Sequence, residues 1–255
     1  MGVHLKLDSG MGRLGTRDSD EALAVAELVQ SHAPALRLAG AMTHLATADT
    51  DLGFVAQQLD AFEPFAARVR AQSRGITVHA ANSAATLRDP RSHFDMVRCG
   101  IALYGCDPMN ADPEPHGLEP ALQLSSYIAA LKPIGPGESA GYGRRFIAER
   151  ESWIATLPIG YGDGVRRALT NNCDVLIDGN RYPLVGTVSM DNVTVDVGAD
   201  PAVAVGAPAI LIGRSGDERQ TVEDVANRVG TINHEILCGI SPRVPRVYHR
   251  DGAPA

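Results

Sequence analysis

Hydrophobic spacing divides the chain into two parts of different character. Residues 3–7 set Leu5 and Leu7 against His4 and Lys6, the period of two expected of a strand. A glycine-rich loop carrying Gly10, Gly12, Arg13 and Gly15 follows. Then comes a helix that Asp18 or Ser19 can cap, with Ala22, Leu23, Val25, Ala26 and Val29 along its stripe. Residues 36–45 read as a second strand ending in Thr43 and His44. Residues 49–51 start a second helix, whose apolar face is Leu52, Val55, Leu59, Phe62, Phe65 and Val69, with Gly75 closing it. Residues 76–80 are a third strand ending at Asn82 and Ser83, where a short helix begins. Residues 95–103 are a fourth strand carrying Arg98 and Gly100. Four strand–helix units in a row predict a parallel sheet covered by helices. In such folds the polar residues at the carboxyl ends of strands share one site. Here they are Lys6, Asp8 and Arg13; His44; Asn82 and Ser83; and Arg98 and Gly100.

Residues 106–119 are rich in Pro, Asp and Asn, a linker composition. Beyond them the period changes to two. Short strands are expected at 122–131, 152–158, 174–177, 182–188, 193–197 and 209–212. Asp178 followed by Gly179 signals a hairpin. A helix over 221–229 has Thr221 and Asp224 in capping-box spacing and Gly230 as its stop. The expected division is therefore a half α/β barrel with its linker, residues 1–119, and an all-β domain, residues 120–255.

Composition narrows the function. The chain has 255 residues, 44% of them hydrophobic, and a net charge of -7 with the basic residues scattered, which argues against nucleic acid as a partner. No apolar run reaches membrane-spanning length, and the first residues lack a signal-peptide pattern. Cys99, Cys106, Cys173 and Cys238 have no CxxC spacing, so they read as reduced thiols of a cytoplasmic protein, with no zinc or other metal site. Lys6 and Lys132 are the only lysines.

Several motifs carry candidate chemistry. Gly10, Gly12 and Gly15 match a dinucleotide fingerprint, but no Asp or Glu lies from residue 28 to 48, where a ribose-binding acid belongs. His44, taken alone, is a core histidine; beside other polar strand ends it becomes a site candidate. Arg98 lies among apolar neighbours and needs a partner, structurally Asp95 or Asp8. Asn82 and Ser83 can cap a helix or, with the amides of Gly100 and Ile101, hold a phosphate. Tyr142 and Tyr161 each stand between glycines, either as turn residues or as exposed phenols able to act as acid or base.

Taken together and in order, these segments resemble alanine racemases. The carriers are LKLDSGMGRLG at 5–15, THLATAD at 43–49, NSA at 82–84, VRCGIALYG at 97–105, GYGR at 141–144, IGYGDG at 159–164, VGTVSMD at 185–191 and RVPR at 243–246. The resemblance implies pyridoxal 5'-phosphate (PLP) as cofactor, alanine as substrate, and a homodimer with composite active sites. It implies that Tyr142 is a catalytic acid/base reaching in from the other subunit, with Tyr161 lining the way in. Arg13 and the backbone of Met190 bind substrate, and Lys6 supports Arg13, often as a carbamate. His44, Asn82, Ser83, Gly100 and Ile101 hold the cofactor, and Arg98 faces its pyridine nitrogen.

Two departures accompany the resemblance. Ser241 and Pro242 precede Arg243 where some members place a phosphate-binding tyrosine. No segment matches the motif that carries the family's cofactor lysine. The expectation is thus the carboxyl-terminal portion of an alanine racemase, without the first half of the barrel and inactive alone. The alternatives are a non-catalytic fragment pairing through its open sheet edge, or another PLP-barrel amino-acid enzyme such as a decarboxylase.

Overall fold

The computed structural model describes residues 1–250 and 253–254. It falls into two compact units, Met1–Leu118 and Glu119–Ala255.

The first unit is built on a three-stranded parallel sheet in the order β1 (Gly2–Lys6), β2 (Arg37–Met42), β3 (Thr77–His79). Helix α1 (Ser19–Ser31) joins β1 to β2, and α2 (Leu52–Gln72) joins β2 to β3. The Asp18 side chain caps α1 by accepting from the amides of Asp20 and Glu21, and Asp51 caps α2 through Gly53 and Phe54. The period-matched residues are the buried ones: Ala22, Leu23, Ala26 and Val29 on α1, and Val55, Leu59, Phe62, Phe65 and Val69 on α2. They form one core with Leu5, Leu7, Leu38 and Val78 from the strands. Leu52, counted on the apolar face, is 38% exposed because it begins the helix before the sheet is reached. Helix α2 ends at Gln72 with Ser73 as its cap, ahead of the expected Gly75. A short helix, α3 (Ser83–Arg88), follows β3 with Asn82 as its cap.

The expected fourth strand does not form. Residues 96–99 are irregular and a 3₁₀ turn covers Ile101–Tyr104. The segment still follows β3, through Asp95 N–H to Val78 O and Arg98 N–H to Ala81 O. A carboxylate breaks the ladder: Asp95 Oδ2 accepts the Val78 amide at 2.8 Å, where a strand would offer a carbonyl.

The second unit is dominated by an eight-stranded sheet. Its order is β13 (Glu218–Gln220), β12 (Pro208–Ser215), β9 (Cys173–Ile177), β10 (Asn180–Val185), β11 (Val193–Asp196), β8 (Ser152–Leu157), β5 (Ala130–Ile134), with β4 (Leu124–Tyr127) also on β12. The expected strand at 122–131 is thus two strands, which pair on different neighbours. Asp178 and Gly179 form the predicted two-residue hairpin, both at positive φ (48° and 76°). A separate hairpin, β6 (Ser139–Ala140) with β7 (Phe146–Ile147), brackets the GYGR motif. This unit is not all-β. Helix α4 (Val222–Arg228) carries the predicted Thr221–Asp224 capping box, and α5 (Asn233–Cys238) follows it. The sequence around α5 has no side-chain cap to announce it.

The core placement has a measurable consequence. Phe62→Ala should cost about 3–5 kcal/mol, while Leu52→Ala should cost about 0.5 kcal/mol, read by denaturant unfolding of the whole chain. Equal losses would show that α2 is not anchored through Phe62.

Candidate active site

In the first unit the glycine loop is folded by one carboxylate. Asp8, buried at the end of β1, accepts from the amides of Gly10 at 3.2 Å and Gly12 at 2.9 Å, and pairs with Arg17 at 3.3 Å. The Gly12 amide bond holds its carboxyl below the ordinary carboxylate value. Gly15, at φ 95°, lies so close to β1 that a Cβ would stand 2.6 Å from Lys6 O. The loop returns to the strand at a parallel bridge between Leu7 and Thr16. Arg13 is exposed at its tip. Lys6 lies beneath; burial first, and then the charges of Arg13 and Arg98, push its ammonium below the ordinary lysine value.

Arg98 is the centre of the unit's polar strand ends. Its Nη2 donates to Thr43 O at 2.9 Å, past the end of β2, and to Ala80 O at 3.0 Å, past the end of β3. Nη1 lies 2.6 Å from His79 Nδ1, and Nη2 lies 3.2 Å from His44 Nδ1. Arginine has donors only, so both imidazoles accept and both are neutral. Burial, reinforced by the Arg98 charge, lowers His44 and His79 to about 4. Neither structural ion pair considered for Arg98 forms: Asp95 binds Arg70 and Asp8 binds Arg17. The Nε–H of Arg98 has no partner among the described residues and remains free to donate.

Asn82 and Ser83 divide the labour expected of them. Asn82 Oδ1 caps α3 at the Ala85 amide, 3.0 Å away. Ser83 Oγ accepts from the amides of Gly100 at 2.9 Å and Ala102 at 3.3 Å, which draws the start of α3 and the Ile101–Tyr104 turn together. A Cβ on Gly100 would meet nothing within 4 Å, so the backbone there borders open space. Gln58 was not foreseen. Fully buried on α2, it donates to His44 O at 3.1 Å and accepts from Ala46 N at 2.8 Å, fixing the His44 backbone. A polar residue on an otherwise apolar stripe was its only signal. His79 was also missed, although it ends the third strand.

In the second unit one segment gathers the remaining candidates. The β10–β11 connection accepts Tyr161 N–H at Ser189 O and Gly162 N–H at Met190 O, each at 2.9 Å. Thr187 Oγ1 donates to Tyr142 O at 2.7 Å. Gly160 is required there, since a Cβ would stand 2.3 Å from Ser189 O. Arg243 completes the frame, with its Nε on Asp163 Oδ1 at 2.7 Å and its Nη2 on Asp191 Oδ1 at 2.6 Å. Tyr142, at the tip of the β6–β7 hairpin, is 74% exposed, and Tyr161 lines a surface cavity with Arg166 and Arg167. In the first unit Lys6, Arg13, His44 and Arg98 lie within reach of one another's charge, and in the second the turn of Tyr161 rests on the segment of Met190.

Two family models match: alanine racemase, N-terminal domain, over residues 1–108, and alanine racemase, C-terminal domain, over residues 121–248. The chain belongs to the alanine racemase family. Because the N-terminal domain is matched as well, its description as a carboxyl-terminal portion alone is too narrow. Among curated family members, alanine racemase 1 of Clostridium acetobutylicum is 39% identical over 253 residues, covering 98% of this chain and 65% of the relative. An alanine racemase of a Nostoc species is 42% identical over 247 residues, covering 96% and 64%. The alanine racemase of Bacillus anthracis, solved with bound L-Ala-P, superposes with a TM-score of 0.88 at 39% identity, over 100% of this chain and 66% of that one. The chain thus spans just under two thirds of the length of these family members. No helix among its described residues is long and apolar enough to cross a membrane.

The lowered histidines set a pH dependence. Their folded values lie near 4, below the ordinary 6.5, so the unfolded chain takes up protons that the folded chain refuses. Stability from this source is full above about 6.5 and falls as pH drops toward about 4. The denaturation midpoint of the whole chain should therefore fall between about pH 7 and pH 5, above the range where carboxylates titrate. A flat profile there would mean that His44 and His79 titrate normally.

Proposed function

We propose that this chain carries the cofactor-ring, phosphate and substrate-binding parts of an alanine racemase that interconverts L- and D-alanine with PLP. The carrying observation is Arg98: a donor-only cation, held by two carbonyls and two neutral imidazoles, with Nε–H to spare. The residues present fit the cofactor. The open space bordered by the Gly100 backbone, with the Ser83 hydroxyl and the amides beside it, suits the phosphate. Asn82 supports that cradle as the cap of α3, Ile101 contributes its amide, and His44 packs beside the ring.

PLP, when bound, supplies the electron sink that acidifies the substrate α-carbon. The chain's residues do the rest. Arg98 keeps its proton, so it donates a hydrogen bond to the ring nitrogen without protonating it. That restrains the sink and favours return of the proton to carbon over transamination. Arg13, on its folded loop, holds the substrate carboxylate, with Lys6 beneath it, and the Met190 backbone closes the other side. Tyr142 moves the proton at one face of the α-carbon through its phenol oxygen. Tyr161 lines the approach.

The working form is a homodimer in which the barrel residues of one subunit meet the β-domain residues of the other. It acts in the cytoplasm, supplying D-alanine for peptidoglycan; four cysteines without disulfide or CxxC spacing suit that reading. The first unit is half an α/β barrel, residues 1–119, and the β domain runs over 120–255. Neither Lys6 nor Lys132 occupies the position of the family's cofactor lysine, so the 255-residue chain alone is inactive. A second reading rests on β1, which pairs with β2 alone among the described strands: the first unit joins another segment through that open edge.

The composite site is tested by joining this chain to the segment that carries the cofactor lysine and making Arg13→Ala and Tyr142→Phe separately. Each should be inactive, and verified mixed dimers should recover activity, since one of their two sites is intact. No recovery would sink the arrangement. The phosphate cradle is tested on the 255-residue chain alone. Gly100→Val should weaken pyridoxamine 5'-phosphate by about tenfold or more and leave dephosphorylated pyridoxamine unchanged. Equal affinity of wild type and variant for the phosphate form would place the phosphate elsewhere.

A further inference from the structure

The hydrogen bonds of Arg98 do not stop at His79. His79 Nε2 lies 2.8 Å from Nδ1 of His4, on β1, two strands away from His79 on β3. The rings are 5.0 Å apart at 56°. They meet over β2 only because residue 40 is glycine. His4 is registered against Gly40, and Gly40 against Thr77. A Cβ on Gly40 would stand 2.4 Å from His4 Nδ1 and 2.3 Å from Thr77 O, so any other residue there would push the rings apart.

We propose that His4 is a positioning residue for Arg98, acting through His79. Each proton in the chain is determined once Arg98 is the donor. Arg98 Nη1 donates, so His79 Nδ1 carries a lone pair and the neutral ring has its proton on Nε2. That proton points at His4 Nδ1, which must accept, so neutral His4 carries its own proton on Nε2. If His4 gains a proton at Nδ1, two N–H groups oppose each other across 2.8 Å. His79 is then released to move its proton to Nδ1 or to turn, and in either case the lone pair facing Arg98 at 2.6 Å is lost. The charged and titratable groups that act on His79 are Arg98 and His4, and Arg98 is shared with His44. No carboxylate hydrogen-bonds to His4, His79 or Arg98 among the described residues. His79 itself is held near 4, mainly by burial. Above that value a change at His79 is therefore a change of tautomer and not of charge. The consequence for the cofactor, a fixed guanidinium at its ring nitrogen, rests on the assignment of Arg98 proposed above.

Imidazole nitrogen NMR on the 15N-labelled 255-residue chain reads the tautomer directly. At about pH 8 the wild-type His79 should carry its proton on Nε2. His4→Asn sets an amide oxygen where Nδ1 stands, so His79 should keep the Nε2–H form. His4→Phe and Gly40→Ala should lose it. A His79 tautomer unmoved by His4→Phe in a folded chain, or one lost in His4→Asn, would overturn the proposal. Affinity for pyridoxamine 5'-phosphate, compared between wild type, His4→Asn and His4→Phe at the same pH, separates the two ideas. His4→Phe should bind severalfold more weakly than wild type, and His4→Asn should stay close to wild type. NMR behaviour as expected with equal affinities would uphold the relay and remove Arg98 from the ring nitrogen.

Discussion

A guanidinium partly withdrawn from water must be given acceptors, and the first unit is arranged around that requirement. Arg98 never loses its proton, so its surroundings adapt to it. Two of its acceptors are carbonyls just beyond the ends of β2 and β3, Thr43 O and Ala80 O. A parallel sheet leaves such carbonyls unpaired at its carboxyl edge, which is where a single cation can collect several of them. The other two acceptors are imidazoles, kept neutral by burial first and by the arginine beside them second. Lys6, Arg13 and Arg98 then concentrate positive charge at one edge with little carboxylate to offset it, since Asp8 is spent on the loop amides and Arg17. That imbalance suits an anionic, phosphate-bearing ligand.

Much of this was legible because local signals agreed with the tertiary outcome. The spacing of Val55, Leu59, Phe62 and Val69 and the cap at Asp51 both specify α2. Asp178 and Gly179 specify a turn that needs positive φ at two successive positions. The expected strand at 95–103 failed for a reason invisible in periodicity: a side chain, Asp95, took the amide that a strand's backbone would have taken. Strand propensity counts residues and does not see which acceptor reaches first. The all-β reading of the second unit failed at α5, where six residues lack any cap side chain.

The candidate site was legible to a different degree in each unit. In the first, polar residues at strand ends announce themselves by interrupting apolar runs, so Lys6, His44 and Arg98 stood out. Gln58, His79 and His4 did not, since their roles lie in whom they touch across the sheet. In the second unit, the glycines of the two tyrosine motifs marked close backbone approach correctly: Gly160 has no room for a Cβ beside Ser189 O. What the sequence could not show is that Asp163 and Arg243, 80 positions apart, hold the same turn.

The β6–β7 hairpin pairs only two residues on each strand, Ser139 with Ile147 and Ala140 with Phe146. So short a ribbon has little cooperative stability of its own. Its tip is tied down from outside, by Thr187 Oγ1 on Tyr142 O and by Asn171 Nδ2 on Arg145 O, 2.9 Å apart. The phenol at that tip is therefore carried by one of the least self-sufficient elements of the unit. A surface that closes over the hairpin would do more than bury a tyrosine. It would complete the folding of the segment that aims it, so that ordering the phenol and forming the assembly become one thermodynamic event.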